Sequence, residues 1–329
     1  MNARETAITQ LIKSRPFALV LIVAAIAATM CGTMMCGPGI VRMMSDPSGI
    51  IAVSPLAPGI APIVCMGLNV VIMVAMALLN GQYNLLRTTS WLFLALWMVA
   101  QSGSPGMMTG AATGLSGCLA LLLCVWISFS IYQHPEQTKR VFLLFFIITS
   151  LGCFNWSYLL YLPVFFIGMV QMQAMSMRGV FAALVGVTTP VWLLWAFSIV
   201  DFHTLPMPEV SLVTLSRIYA NPVMGATLAF TLPAGLLLTG ANMVKVYGYN
   251  AVTRSHNGLL LLVWIMTALL CVVDFNNLWA TLPLLNCTTA FQAGLFFRIY
   301  ARRRAYLPVI IMIAAYTALL VWTIIQPNI

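Results

Sequence analysis

The chain is predicted to be all-α, a multi-spanning transmembrane bundle of about eleven helices with a cytoplasmic N-terminus, and three observations predict it. Hydrophobic residues fill 62% of the 329 positions and charged residues only 6%, against about 25% charged in ordinary soluble domains. So little polar surface cannot cover a soluble globule, and the bilayer is the expected solvent. Apolar runs recur at lengths near the roughly 20 residues that a helix rising about 1.5 Å per residue needs to cross about 30 Å of hydrocarbon. When these runs are threaded in order, thirteen of the fifteen Lys and Arg residues fall on one side, the asymmetry that orients helices in bacterial inner membranes.

The first crossing is expected at 17–36, after Lys13 and Arg15. Those cations before Phe17–Met30 resemble the start of a secretory signal, but no small-residue cleavage site follows cleanly, so an uncleaved helix is expected. A second crossing covers 61–79. The stretch from Ser90 to Gln133 is too long for one helix and is broken by Ser102-Gly103-Ser104-Pro105-Gly106. It divides into crossings at 89–104 and 113–132, with the break as the outer turn of the pair. The run Val141–Phe154 is short and is followed at once by Asn155-Trp156-Ser157. Segments 141–154 and 157–174 therefore read as a hairpin with its tip at or below the outer surface. A re-entrant hairpin lowers the count from eleven to nine and leaves every later loop on its side. Crossings at 180–199, 223–242, 257–274, 280–298 and 307–325 complete the set. The Gly/Ala/Pro-rich openings of Gly103–Leu122 and Asn221–Gly240 read as faces for close helix packing. Residues 1–329 form one membrane domain, because the longest polar-leaning stretches, Gly37–Gly59, Val200–Pro222 and Met243–Asn257, are each too short for a core of their own.

In this threading the inner segments hold Arg4, Lys13, Arg15, Arg87, Lys139, Arg140, Arg178, Lys245, Arg254, Arg298, Arg302, Arg303 and Arg304, and only Arg42 and Arg217 lie outside. The C-terminus is extracytoplasmic. The net charge of +9 is dispersed over short loops, where cations orient helices, so nucleic acid is not an expected partner. Acids run the other way, with Asp46, Asp201, Glu209 and Asp274 outside and Glu5 and Glu136 inside. Acids contribute little to orientation. Their placement is either ordinary loop polarity or an external site that needs carboxylates.

Recognisable catalytic spacing is absent: there is no GxGxxG after a strand, no GxxxxGK[ST], no HExxH and no GxSxG. His203 stands between Asp201 and Glu209 in one external loop, close enough in sequence for acid/base work. His134 and His256 are placed in internal loops and read as solvated. The eight cysteines form no CxxC pair. They read as small buried hydrophobes. Met30, Cys31, Met34, Met35, Cys36, Met43 and Met44 crowd the outer end of the first helix and could suit Cu(I), but methionine is spread over the chain, and neither a metal nor a cofactor is expected. The apolar runs hold almost no charge, which disfavours an ion-coupled carrier. Asn69, Asn80, Asn242, Asn276, Asn277 and Asn286 could line a polar path.

From Asn80 to Phe197 the chain reads "NGQYNLLRTTSWLFLALW", "SGSPGMMTG" and "YQHPEQTKRVFLLFFIITSLGCFNWSYLLYLPVFFIGMVQMQAMSMRGVFAALVGVTTPVWLLWAF". A basic pair, Lys139-Arg140, precedes a phenylalanine-rich hairpin, and Leu162-Pro163, Arg178 and a Gly186 to Pro190 helix follow. This order resembles a domain-of-unknown-function family of polytopic inner-membrane proteins of Bacteroidota, and the resemblance implies a cytoplasmic-membrane location without an activity. More distantly it is similar to the GT-C class of integral-membrane glycosyltransferases, which use polyprenyl-phosphate-linked sugars. That likeness implies a catalytic acid in the first external loop, here Asp46 in "RMMSDPSG". A carboxylate would take a proton from the acceptor while a cation neutralises the leaving phosphate. On this reading Asp46 and Asp201 are catalytic, and Arg42, His203, Glu209, Arg217 and Asp274 bind substrate. The first external loop is shorter than that class usually carries, and its paired acids are absent.

Three roles stay open at this stage. An enzyme with a lipid-linked donor predicts Asp46, Asp201 and Arg217 converging on an external cavity. A carrier or flippase for a lipid or small solute predicts polar groups at mid-membrane, lined by asparagines. A non-catalytic partner of an envelope complex predicts neither.

Overall fold

The computed structural model describes residues 3–36, 60–86, 91–104, 106, 111–198, 212–214, 218, 222–246, 248–300 and 306–325. Within them the fold is all-helical, with twelve α-helices. They are α1 Ala3–Lys13, α2 Arg15–Cys36, α3 Ala61–Tyr83, α4 Leu92–Ser102, α5 Ala112–Ser130, α6 Thr138–Phe154, α7 Tyr161–Gln171, α8 Met177–Ala196, α9 Pro222–Val246, α10 Ala251–Val273, α11 Leu278–Ile299 and α12 Tyr306–Ile325. Short 3-10 turns, Trp156–Leu160 and Phe275–Asn277, lead into α7 and α11. Six helices, α3, α5, α8, α9, α10 and α12, are long and apolar enough to cross a membrane. Many of their apolar side chains face outward, among them Ile63, Val71, Phe181, Trp192, Leu237 and Ile311, which suits a lipid environment.

Each of the eleven predicted segments has a helix, and three local expectations need correction. First, α1 is a helix of its own that the apolar-run rule does not reveal. It packs on α2 and α12, burying Thr9 and Ile12 and exposing Leu11.

Second, the Ser102–Gly106 break is not an outer turn. Helix α4 has only 11 residues, about 16 Å of rise against the roughly 30 Å of a hydrocarbon core. Every one of its residues is buried, as are Gly103 and Ser104 beyond its end. Gly103 lies against Tyr316, and a β-carbon there would meet the Tyr316 ring at 3.3 Å. Because Tyr316 is at the midpoint of α12, α4 stops halfway through the bundle. Backbone that leaves a helix at such depth is tolerated only where protein covers it, and the surrounding α2, α11 and α12 supply that cover.

Third, α10 begins at Ala251, so His256 is helical and 3% exposed rather than solvated in a loop. Its ring stacks on Phe129 at 4.1 Å and meets Tyr83 edge-on at 5.4 Å.

Helix α11 is the axis of the fold. It touches α4, α5, α9, α10 and α12, and all but four of its 22 residues are buried. Small residues allow the neighbours in. A β-carbon at Gly114 would strike the Trp279 carbonyl, one at Gly117 the Tyr158 hydroxyl, and one at Gly235 the Trp264 ring at 2.6 Å. These contacts lie in the two small-residue segments expected to pack closely. The periphery uses the same device, since α8 lays Gly179, Ala183, Gly186 and Pro190 on α6. In lipid no hydrophobic force joins helices, so such close van der Waals contact carries the association.

Hydrogen bonds tie the ends of the bundle into two layers. At one end the Gln133 amide donates to the Met172 carbonyl, Ser176 Oγ to the Pro135 carbonyl at 3.0 Å, and Arg298 to the Leu85 carbonyl. Lys139, Arg140, Arg178, Lys245 and Arg254 sit at helix termini of this same end. The opposite end gathers the start of α5, the α6–α7 hairpin tip, and the junction of α10 with α11.

Candidate functional sites

Of the residues singled out from the sequence, Arg42, Asp46, Asp201, His203, Glu209 and Arg217 lie outside the described residues. Asp274 lies within them, at the cap of α10. Its Oδ2 accepts from Ser157 Oγ at 2.6 Å and from Asn277 Nδ2 at 2.6 Å. The Asn155 side chain in turn accepts from the Ser157 amide at 3.0 Å and caps the 3-10 turn. The hairpin tip at Asn155-Trp156-Ser157 therefore meets the one acid of this end among the described residues. Beside it the Val213 amide donates to the Val272 carbonyl at 3.1 Å, and Ile218 lies against Gly225 and the α10–α11 junction. Val213 and Ile218 thus stand at the end where Asp274 is.

A second polar system runs inside the bundle along α11. Asn286, Thr289 and Gln292 recur every three residues and so share a stripe. All are 2% exposed or less. Asn286 Oδ1 accepts from Thr231 Oγ1 of α9 at 3.4 Å, and that hydroxyl pairs with the Tyr316 hydroxyl of α12 at 2.8 Å. Thr289 Oγ1 accepts from Trp264 Nε1 of α10 at 3.1 Å. Gln292 takes two hydrogen bonds from Asn242 Nδ2 of α9, at 2.8 Å on its carbonyl and 2.9 Å on Oε1, and donates to Asn257 Oδ1 of α10 at 3.4 Å. Counting along α11 at about 1.5 Å per residue, Asn286 stands about 12 Å from the acid end and Gln292 about 10 Å from the cationic end. The seam therefore spans the middle of α11. Pro233 and Pro283 lie inside the continuous helices α9 and α11 close to it.

Among the described residues, Asn242 Oδ1 and Asn286 Nδ2 of the seam have no protein hydrogen-bond partner, nor do the two polar atoms of Gln101, the penultimate residue of α4. An unmade bond in a low-dielectric interior costs on the order of 1–3 kcal/mol. In natural folds such groups are met by an ordered water or ion, or belong to a strained or catalytic arrangement. At its cationic end the seam borders a small cleft lined by Leu85, Leu86, Thr253, Asn257, Leu260, Phe291, Gln292 and Leu295. Of the asparagines expected to line a path, Asn242 and Asn286 belong to this buried seam. Asn80 instead fixes the turn after α3 by accepting from the Leu86 amide at 2.7 Å, and Asn277 joins Asp274. Sequence reading missed Gln101, Asn257 and Gln292. The available signal was the polar recurrence of "LWATLPLLNCTTAFQAGLFF", unusual for a segment of crossing length.

Among the described residues no three His, Cys, Asp or Glu side chains gather as metal ligands would, and the cysteines described there are unpaired thiols. Comparison with family models, with curated proteins and with solved structures gives no match to this chain.

Proposed function

We propose that this chain is a multi-pass protein of the bacterial inner membrane that carries an uncharged, hydroxyl-bearing solute or lipid head across the bilayer along α11. The N-terminus is cytoplasmic and the C-terminus extracytoplasmic. Helices α2 to α12 make eleven membrane segments, of which α4 is a half-crossing, and α1 lies at the inner interface. The observation that carries the reading is the amide and hydroxyl seam Gln292–Thr289–Asn286 with its partners on α9, α10 and α12. Amides and hydroxyls replace the hydration of a neutral polar group without the cost of a buried charge.

The test is reconstitution of the full chain in proteoliposomes. A panel of neutral polyols is followed by stopped-flow light scattering, and a fluorescent neutral glycolipid by dithionite quenching. The reading expects faster solute entry or lipid exchange than in protein-free vesicles, and expects Asn286→Leu to abolish the gain. Rates equal to empty vesicles for every probe contradict it.

A second reading has one observation in its favour, the carboxylate of Asp274 held by Ser157 and Asn277. On that reading the external face is a GT-C-like glycosyltransferase centre for a polyprenyl-phosphate-linked donor, with Asp46 as base. Both Asp46→Asn and Asp274→Asn then reproduce the glycan phenotype of a deletion at unchanged protein abundance. Full complementation by Asp46→Asn removes this reading.

A further inference from the structure

The start of α10, at the cationic end, closes over a histidine. His256 lies in the second turn of a helix that begins at Ala251 and is 3% exposed. Three aromatic rings box it in. Its imidazole stacks on Phe129 of α5, with centroids 4.1 Å and planes 22° apart. Tyr83 of α3 and Tyr132, just beyond α5, meet it edge-on at 5.4 Å and 5.8 Å. The box is braced without the histidine, since Tyr83 also meets Phe129 edge-on at 5.2 Å and donates its hydroxyl to the Trp126 carbonyl.

The ring has nothing to balance a charge. Its Nε2 is buried without a hydrogen-bond partner, and among the described residues no hydrogen bond or ion pair joins it to a carboxylate. Glu136 is taken up by His134 at 2.9 Å, where both are exposed. The other titratable groups around the box are the phenols of Tyr83 and Tyr132 and a set of cations. Arg140 of α6 acts on Tyr83 and donates to the Ser130 carbonyl. Arg298 of α11 donates to the Leu85 carbonyl, two residues beyond Tyr83. Arg254 of α10 and Lys245 at the end of α9 are exposed. From α7 the neighbour is the neutral Gln171, against Gly258.

An imidazolium in this box gains attraction from the aromatic faces. It also loses its water, meets no anion and is repelled by the cations, and an unpaired buried charge costs more than such contacts return. The closed box therefore holds the ring neutral, and the ring takes a proton when the turn opens. Because the open form binds more protons than the closed one, acid favours opening. Asn257, the next residue, accepts from Gln292 of the seam at 3.4 Å, so the opening reaches the seam. We propose that His256 is a proton-operated latch: the neutral ring holds the first two turns of α10 closed against α3 and α5, and acid on that side frees them and draws Asn257 off Gln292. The latch stands whether or not the chain moves a solute.

The experiment is amide hydrogen exchange, read by mass spectrometry on the full chain in nanodiscs at about pH 7.5 and about pH 5.5. Exchange chemistry itself slows in acid, so segment 251–260 is compared at each pH with the same segment of His256→Phe, which keeps a stacked ring and takes no proton. The ratio of wild type to variant rises about tenfold on acidification, because an exposed imidazole titrates near about 6.5 and each pH unit below that multiplies the open population about tenfold. If His256→Phe does not fold, residues 177–183 of α8 in the wild type, corrected for intrinsic rates, serve as the reference. His134→Gln removes the exposed imidazole and leaves the rise in place. A ratio that does not change with pH, a rise shared equally by α8, or a rise lost in His134→Gln overturns the proposal. Each outcome is read without a solute, so failure here leaves the carrier reading standing.

Discussion

Gln292 links three helices through one side chain, and its replacement isolates what that linkage is worth. Gln292→Leu keeps much of the volume but strips the Oε1 contact from Asn242 Nδ2 and the donor from Asn257 Oδ1. Asn242 Nδ2 keeps the backbone carbonyl of residue 292, so Asn257 suffers more. Hydrogen bonds between membrane helices average about 0.6 kcal/mol, because the unfolded chain in lipid also finds partners. Orphaning a buried acceptor adds to that, and the expected loss is about 1–2 kcal/mol, read as a lower unfolding midpoint in mixed micelles. A stability unchanged from wild type contradicts the described pairing. Residues of this kind were the hardest to see in the sequence. One amide per turn in an apolar run makes no motif, and depth in the bilayer decides whether an amide is a surface residue or a buried one. His256 shows the same blindness: Ser255-His256-Asn257 reads as loop polarity, yet helix α10 carries it into contact with Phe129 and Tyr83.

Helix positions were far more legible, because hydrocarbon thickness fixes how long an apolar run must be. All eleven predicted segments contain a helix, with ends shifted by up to six residues at α10. Two elements escaped for physical reasons. Helix α1 owes its burial to α2 and α12, and its polar-leaning sequence carries no crossing signal. The half-length of α4 is set by where α12 presents Tyr316, while Ser-Gly-Ser-Pro-Gly announces a break without its depth. Small residues announced packing correctly, and that yields a prediction for α8. Gly186 lies against the Phe142 carbonyl, which a β-carbon would approach to 2.6 Å, and in the described contacts α8 leans on α6 almost alone. Gly186→Leu therefore cannot be absorbed by side-chain movement, since the obstacle is backbone. Overpacking of this sort costs about 1–3 kcal/mol or more. Limited proteolysis should cut the Gln173–Ser176 connection faster in the variant, with cleavage elsewhere unchanged. Uniformly accelerated cleavage, or none, argues against a locally detached α8.

Taken as a molecule, the bundle separates its chemistry by depth. Cations occupy one end, the Asp274 cluster the other, and a neutral polar seam joins the two levels along α11. The cationic asymmetry that oriented the chain in sequence agrees with the clustering of Lys139, Arg140, Arg178, Lys245, Arg254 and Arg298 at one end. Of the acids read as external, Asp274 stands at the opposite end, at the cap of α10. The seam has the stronger geometric support, and carriage along it requires that water reach its centre from each face in turn. The direct measurement places a single cysteine at position 286 in a chain whose eight native cysteines are replaced. An impermeant maleimide is then applied from either side, in right-side-out and in inverted vesicles. Alternating exposure predicts labelling from both faces, slowed by a transported polyol. Failure to label from either face, with the folded protein labelled readily after detergent unfolding, contradicts a path along α11.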